Sequence, residues 1–342
     1  MKQSDRPASR IRKTAVIGAG TMGHGFAQVF AQHGRLVRLT DRTLQLAERG
    51  KEMIATNFQT VIDEGFITPA EVEAALQRIT VTGELGEALA EADFVLEAAP
   101  EKLDLKQSMF REFSRLARPD AILASNTSSF DVNEMAAVVA VNPGRVIGTH
   151  WYNPPQIVPC VEVIPARTTA EATVQTTLAF LTEIGKAPAI TKSVPGFVGN
   201  RIQLVMAAEA FRCLEEGVAT AEDIDRIIRT SFGFRLGAFG IFEIADLAGL
   251  DTYLSVFDYL AEQYGKDWYQ APESLRTRVN AGRLGVKSGA GVYDYDEQKA
   301  KRVRAERDHR LYQRLRAYLA DRPADSASPT SSVSEPSKTR PA

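Results

Sequence analysis

The chain has 342 residues with 41 basic and 43 acidic side chains, and its formal net charge of −2 excludes a global field that would draw it to nucleic acid or an anionic membrane, leaving a small molecule as the expected partner. A hydrophobic content of 44% at this length is enough for a large core and makes two domains the default, while no apolar run reaches membrane-spanning length. Two cysteines, Cys160 and Cys213, each among apolar neighbours, exclude a disulfide framework and fit a reducing compartment.

In chain order, residues 1–12 are expected to form a flexible arm. Lys2, Arg6, Arg10 and Arg12 leave a short organelle-targeting segment open, and Asp5 and the brevity of the arm oppose it. No apolar run of secretion-signal length is present, so the cytoplasm is the expected location. Short apolar runs then alternate with longer amphipathic ones: Thr14–Ile17, Leu36–Thr40, Asp93–Ala98, Ala121–Ala124, Arg145–Thr149 and Cys160–Ile164. That rhythm predicts an α/β fold over residues 13–193, a Rossmann-type doubly wound parallel sheet wrapped by helices. After Pro195-Gly196 the strand-like runs stop, and Ile202, Val205, Met206, Ala210 and Leu214 recur at helical spacing. Residues 194–298 therefore read as an all-helical C-terminal domain. Residues 299–320 read as a basic helix whose Leu311, Leu315 and Leu319 form a docking stripe, with nucleic-acid contact as the alternative. Residues 321–342, rich in Pro, Ser and Thr, are expected to be disordered.

Gly18-Ala19-Gly20-Thr21-Met22-Gly23 is a G-x-G-x-x-G sequence, a weak signal until its context is added. The preceding apolar run ends at Ile17, a helical pattern through Phe26, Val29 and Phe30 follows, and the next strand-like run closes on Asp41. This is the order of a dinucleotide-binding βαβ unit. Gly18 suits the tight turn, Gly20 lets the backbone approach a pyrophosphate, and Gly23 lets helix and strand pack closely, with phosphate charge met at the helix N-terminus. Asp41 would accept from the adenosine ribose hydroxyls and repel a 2′-phosphate, which predicts NAD, although the adjacent Arg42 softens that exclusion. A flavin site, or a βαβ unit without a ligand, remains the alternative at this point.

Ser125-Asn126-Thr127-Ser128-Ser129 follows an apolar run, which places polar groups at the carboxyl end of a strand, either as a ligand site or as a turn capping the next helix. His150 ends another such run and leads into Trp151-Tyr152-Asn153-Pro154-Pro155. Glu162 lies in Cys160-Val161-Glu162-Val163-Ile164, so apolar that an ionised carboxylate there needs a charged or hydrogen-bonding partner. A histidine meets that need, and a His–carboxylate pair suits removal of a hydroxyl proton while hydride leaves the same carbon. Of the four histidines, His24 and His33 belong to the cofactor helix and His309 to the basic tail, which leaves His150 as the candidate. Asn200, in Pro195-Gly196-Phe197-Val198-Gly199-Asn200-Arg201, either donates to a substrate carbonyl or sits on a polar helix face.

Over residues 12–296 these pieces resemble the L-3-hydroxyacyl-CoA dehydrogenase family: GAGTMGHGFAQ, SNTSS, GTHWYNP with VEVI, PGFVGNR, AEDIDRIIRTSFGFRLGAFGIFEIADLAGLD and GVKSGAGVYDY. The resemblance implies a Rossmann domain followed by a helical domain, a homodimer, and NAD-dependent oxidation of an acyl substrate's 3-hydroxyl, as in fatty acid β-oxidation. By the same resemblance His150 is the base and Glu162 its partner, Ser128 contacts the substrate hydroxyl, and Asn200 contacts substrate and histidine. Glu101 and Lys106, in APEKLDLK, match nicotinamide-side contacts, and Thr21, Met22 and Asn126 complete the cofactor-binding set with Gly18, Gly20, Gly23 and Asp41.

Two stretches depart from that pattern. Members that use CoA resemble one another in carrying basic residues on the helical hairpin after the second strand, whereas residues 53–77 here hold Asp63, Glu64, Glu71 and Glu73 and no Lys or Arg. A polyphosphate tail would meet repulsion there. Asn153-Pro154-Pro155-Gln156-Ile157-Val158-Pro159 looks closer to relatives acting on free hydroxy acids, such as gulonate or carnitine dehydrogenases. A free-acid substrate, or a non-catalytic NAD-binding protein, is therefore kept as an alternative, and the intact Ser128, His150, Glu162 and Asn200 set opposes the latter.

Overall fold

A computed structural model of the chain describes residues 9–265 and 267–321. The arm expected before residue 9 and the tail expected after residue 321 lie outside the described residues. Residues 9–12, read from the sequence as the end of the arm, are held in place: Ile11 is buried, its N–H donates to Ser9 Oγ, and the Arg12 N–H donates to Asp93.

The chain clusters as two compact units that divide between Ala208 and Glu209. The first contains β1 (Lys13–Ile17), α1 (Gly23–Gln32), β2 (Leu36–Thr40), α2 (Leu44–Asp63), α3 (Pro69–Gln77), β3 (Ile79–Thr82), α4 (Leu85–Leu89) and β4 (Phe94–Glu97). It continues with α5 (Leu103–Leu116), β5 (Ile122–Ser125), α6 (Val132–Ala136), β6 (Val146–Trp151), β7 (Cys160–Pro165), α7 (Glu171–Glu183) and β8 (Ala187–Ile190), and α8 (Gly199–Glu215) begins within it. The strands form one sheet in the order β3-β2-β1-β4-β5-β6-β7-β8. Strands β1 to β6 run parallel, β7 runs antiparallel to β6, and β8 runs parallel to β7.

The six strand-like runs of the sequence all form strands, and the doubly wound architecture is the one expected. The runs are continuously apolar because both faces of the sheet are covered. Along β4, Phe94 and Leu96 join the core that holds Phe26, Phe30, Phe58 and Phe180, while Val95 joins the opposite one with Phe110, Phe113 and Leu123. Strands β3 and β8 escaped the reading. Each is four residues long at an edge of the sheet, β3 mixes Thr with its apolar residues, and β8 contains Pro188, which an edge strand tolerates. The antiparallel turn of β7 also departs from the all-parallel expectation, and it decides the site.

The second unit contains α9 (Ala221–Thr230), α10 (Phe232–Leu236), α11 (Ile241–Ala248), α12 (Leu250–Tyr264), α13 (Glu273–Asn280) and α14 (Glu297–Ala320), with no named strand among its described residues. The basic helix is thus α14, but it docks by a different stripe from the one expected. Leu315 and Leu319 are exposed, whereas Leu311 and Arg307 border a cavity with Phe239, Ile244 and Leu247. Arg310 donates to the Ala238 carbonyl and lies over Phe239, and Arg314 donates to the Phe234 carbonyl and lies over that ring. Arginine stems and guanidinium faces replace the leucine stripe.

Candidate active site

The turn between β1 and α1 has the shape its sequence demands. Gly18 has φ +104°, and a Cβ there would stand 2.7 Å from the Ala98 carbonyl oxygen at the end of β4, so only glycine fits. A Cβ on Gly23 would collide with the Gly18 carbonyl, so α1 can lie close to β1 only without one. At Gly20 an added Cβ would meet nothing within 4 Å, which leaves an open cradle beside the backbone. The N–H groups of Gly20, Thr21 and Met22 have no acceptor among the described residues and α1 carries no acidic side chain in its first turn, so its N-terminus is free for an anion. Asp41 follows β2. Its Oδ2 accepts the Ala19 N–H at 2.7 Å and its Oδ1 the Arg42 N–H at 2.7 Å, which aims the carboxylate across the mouth of the same turn. These residues fit the pyrophosphate and adenosine ribose of a dinucleotide.

His150 and Glu162 are directly paired residues on the antiparallel strands β6 and β7. Side chains opposite one another across such a pair share a face, and His150 Nδ1 lies 2.8 Å from Glu162 Oε2, both side chains buried. The carboxylate needs the proton on Nδ1, which leaves Nε2 as the lone-pair nitrogen, and Nε2 has no partner among the described residues. Glu162 accepts three further hydrogen bonds: from the Tyr152 hydroxyl at 2.8 Å, the Val198 N–H at 2.9 Å and the Gly199 N–H at 3.1 Å. Burial by itself pushes the Glu162 carboxyl up, but the donors from His150, Gly199, Tyr152 and Val198 outweigh it and hold it at about 2. Tyr152, sharing Oε2 with the histidine, is pushed up by burial and by that carboxylate.

The SNTSS turn comes to the same region. Asn126 leaves β5, and its Oδ1 accepts the Trp151 N–H at 3.0 Å, tying the turn to the residue after His150. Asn200, one residue into α8, donates Nδ2 to the Ser128 carbonyl at 3.1 Å. Its observed partner is thus the Ser128 backbone. Ser128 Oγ has no partner among the described residues. Glu101 organises the turn, since its Oε1 accepts from Thr127 Oγ1 at 2.6 Å, Ser128 N–H at 2.9 Å, Ser129 N–H at 3.1 Å and Ser129 Oγ at 3.0 Å. Lys106 has no exposed side chain, and its ammonium is 2.8 Å from Glu97 and 3.2 Å from Glu101, so among the described residues Glu101 links it to the turn.

Sequence reasoning missed Glu97, Tyr152 and Lys186. Glu97 ends the apolar run Phe94-Val95-Leu96 and could have been flagged by the argument that flagged Glu162. Lys186 is buried over the Trp151 ring and donates to the carbonyls of Pro155 at 2.6 Å and Val158 at 3.0 Å, so it pins the loop after His150, and burial lowers it to about 8. No sequence signal marks a lysine whose partners are backbone carbonyls.

The sequence profile described as "3-hydroxyacyl-CoA dehydrogenase, NAD binding domain" matches residues 13–194, and that described as "3-hydroxyacyl-CoA dehydrogenase, C-terminal domain" matches residues 196–295. The chain belongs to the 3-hydroxyacyl-CoA dehydrogenase family. It is 39% identical over 288 residues to a probable 3-hydroxybutyryl-CoA dehydrogenase of Bacillus subtilis, covering 84% of this chain and 99% of that one. It is 35% identical over 303 residues to a 5-formyl-3-hydroxy-2-methylpyridine 4-carboxylate 5-dehydrogenase of Mesorhizobium japonicum, covering 88% and 96%. A solved 3-hydroxyacyl-CoA dehydrogenase from Archaeoglobus fulgidus superposes with a TM-score of 0.73 at 34% identity, covering 90% of this chain and 99% of that one. The family's first domain binds NAD, and the matched stretch spans the Gly18–Gly23 turn and Asp41. The chain is therefore an NAD-dependent oxidoreductase. No helix among the described residues is long and apolar enough to cross a membrane.

Proposed function

We propose that the chain oxidises the 3-hydroxyl of an L-3-hydroxyacyl-CoA to the 3-oxoacyl-CoA, reversibly, with His150 as general base. The observation that carries this reading is the buried His150–Glu162 pair, its Nε2 unpartnered in the same region as Ser128 and Asn200. Bound NAD would supply the acceptor for the hydride from C3. The hydroxyl proton passes to His150 Nε2 as the C–O bond becomes a carbonyl, and Glu162 stabilises the imidazolium through Nδ1. Ser128 Oγ orients the hydroxyl, while Asn200 steadies the Ser128 turn from α8. Asp41 and the Gly18–Gly23 turn would hold the adenosine end of NAD, and Glu101 and Asn126 would serve the nicotinamide side.

A free hydroxy acid in place of the CoA thioester is the second reading, favoured by the hairpin of α2 and α3. Asp63, Glu64, Glu71 and Glu73 are all exposed on it, and the M. japonicum relative is named for a pyridine substrate without CoA. The test is NADH formation with a series of L-3-hydroxyacyl-CoAs set against carnitine and sugar acids. Turnover with the thioesters supports the proposal, and turnover with only a free acid replaces it by the second reading. We further infer a homodimer, because α8 has no buried residue and shows Ile202, Leu204, Val205 and Phe211 to solvent.

A further inference from the structure

A cation lies between two carboxylates beneath the Ser125–Ser129 turn. Glu97 and Lys106 have no accessible surface, and Lys106 Nζ stands 2.8 and 3.0 Å from the two Glu97 oxygens and 3.2 Å from Glu101 Oε2. Glu97 is further satisfied by Ser125 Oγ at 2.6 Å and by the Ala99 N–H at 2.6 Å. The strand period explains the meeting. Glu97 lies two residues beyond Val95, on the sheet face that α5 covers, and Lys106 is on α5.

Stability alone is a weak reason for such a cluster, since well-packed apolar replacements of buried ion pairs are often as stable or more so. Orientation is the stronger one. Glu101 gathers four donors from the turn on one oxygen, Oε1, and the turn keeps its shape only while that oxygen stays put. Lys106 fixes the other oxygen, and Glu97, locked to β5 through Ser125, fixes Lys106. Although burial pushes the Glu101 carboxyl up, the Thr127 hydroxyl and Lys106 more than offset it, so the group stays ionised as this arrangement requires.

We propose that Glu97 and Lys106 are positioning residues, which hold the Glu101 carboxylate and through it set Ser128 for the substrate hydroxyl. The inference rests on the proposed role of Ser128. The decisive variant is the double replacement Glu97→Leu with Lys106→Met, which removes both buried charges together and leaves Glu101 without its anchor. Its melting temperature should stay near that of the parent, and the affinity for ADP-ribose, which reaches only the adenosine end at Asp41 and the Gly18–Gly23 turn, should change by no more than about threefold by calorimetry. The kcat should nonetheless fall by about tenfold or more, with KM for the hydroxy substrate raised, since small misplacements of reacting groups carry penalties of that size. A double variant with parental kcat and KM would overturn the proposal and make the cluster merely structural. Should it fail to fold, the near-isosteric Glu97→Gln answers the same question: a severalfold loss of kcat at parental melting temperature supports the positioning role, and unchanged kcat overturns it. His150→Gln measured alongside separates the two levels. If it retains activity, the site reading itself has failed, whereas an inactive His150→Gln beside fully active Glu97 and Lys106 variants rejects this inference alone.

Discussion

His150 can take a proton on Nε2 only while Nδ1 is occupied, and the Glu162 carboxylate 2.8 Å away sets that tautomer. Replacing His150 by Gln should lower kcat by about a hundredfold or more, because a positioned general base contributes ~10²–10⁴-fold, while NAD still binds. Turnover assays with NADH titrations check this, and a variant that keeps most of its kcat removes His150 from the chemistry. Glu162 makes a second prediction, in pH. Its carboxyl is lowered from an ordinary 4.5 to about 2, so its contribution to stability is fully present above 4.5 and is lost as pH falls through about 2. The shift corresponds to roughly 3 kcal/mol of stabilisation. Glu162→Gln should therefore destabilise the fold near neutrality and flatten the acid limb of the stability profile between those values. Denaturant melts at a series of pH values that left the two profiles parallel there would contradict it.

At the scale of elements, the antiparallel pairing of β6 with β7 brings two residues 12 apart in sequence onto one face, and the loop between them is pinned by Lys186. The α2–α3 hairpin carries its own prediction. Thr68 and Glu71 cap α3 reciprocally, Asp63 accepts from Gln59, and no lysine or arginine occurs between residues 53 and 77, so the exposed face is negative. If thioesters are the substrates, acyl-pantetheine should react with a kcat/KM close to that of the matching acyl-CoA, because the nucleotide gains nothing from that face. Asp63→Lys with Glu64→Lys should lower KM for acyl-CoA, an effect that fades in high salt. An acyl-CoA that far outperforms acyl-pantetheine at low and high salt alike would sink the argument.

At the scale of the whole molecule, the proposed dimer makes a prediction that turns on exposed apolar side chains among the described residues. On α8 Phe211 is 66% exposed, and on α12 Val256 and Tyr259 are 53% and 61% exposed, next to a groove lined by Tyr253, Phe257 and Leu260. The proposed dimer would cover side chains of this kind. Light scattering should give twice the chain mass at micromolar concentration, and Phe211→Asp combined with Val256→Asp should shift it toward the monomer. A parent that runs as a monomer would end the dimer inference.

Local chemistry made much of this legible without coordinates. The glycine spacing before α1, the acid after β2, the polar turn after β5 and the carboxylate stranded in an apolar run each stand out because backbone geometry and desolvation act on neighbouring residues. Periodicity gave the alternation of strands and helices for the same reason. Contacts distant in sequence were decided only by the tertiary structure. The reversal of β7 makes Glu162 the partner of His150, Glu97 meets Lys106 because β4 and α5 pack face to face, and α14 docks through arginines whose acceptors are carbonyls on α10 and just before α11. The sequence alone determined which residues could not be left in water or in oil unaided, and the fold decided which of them would satisfy one another, because that choice depends on long-range packing that no local pattern encodes.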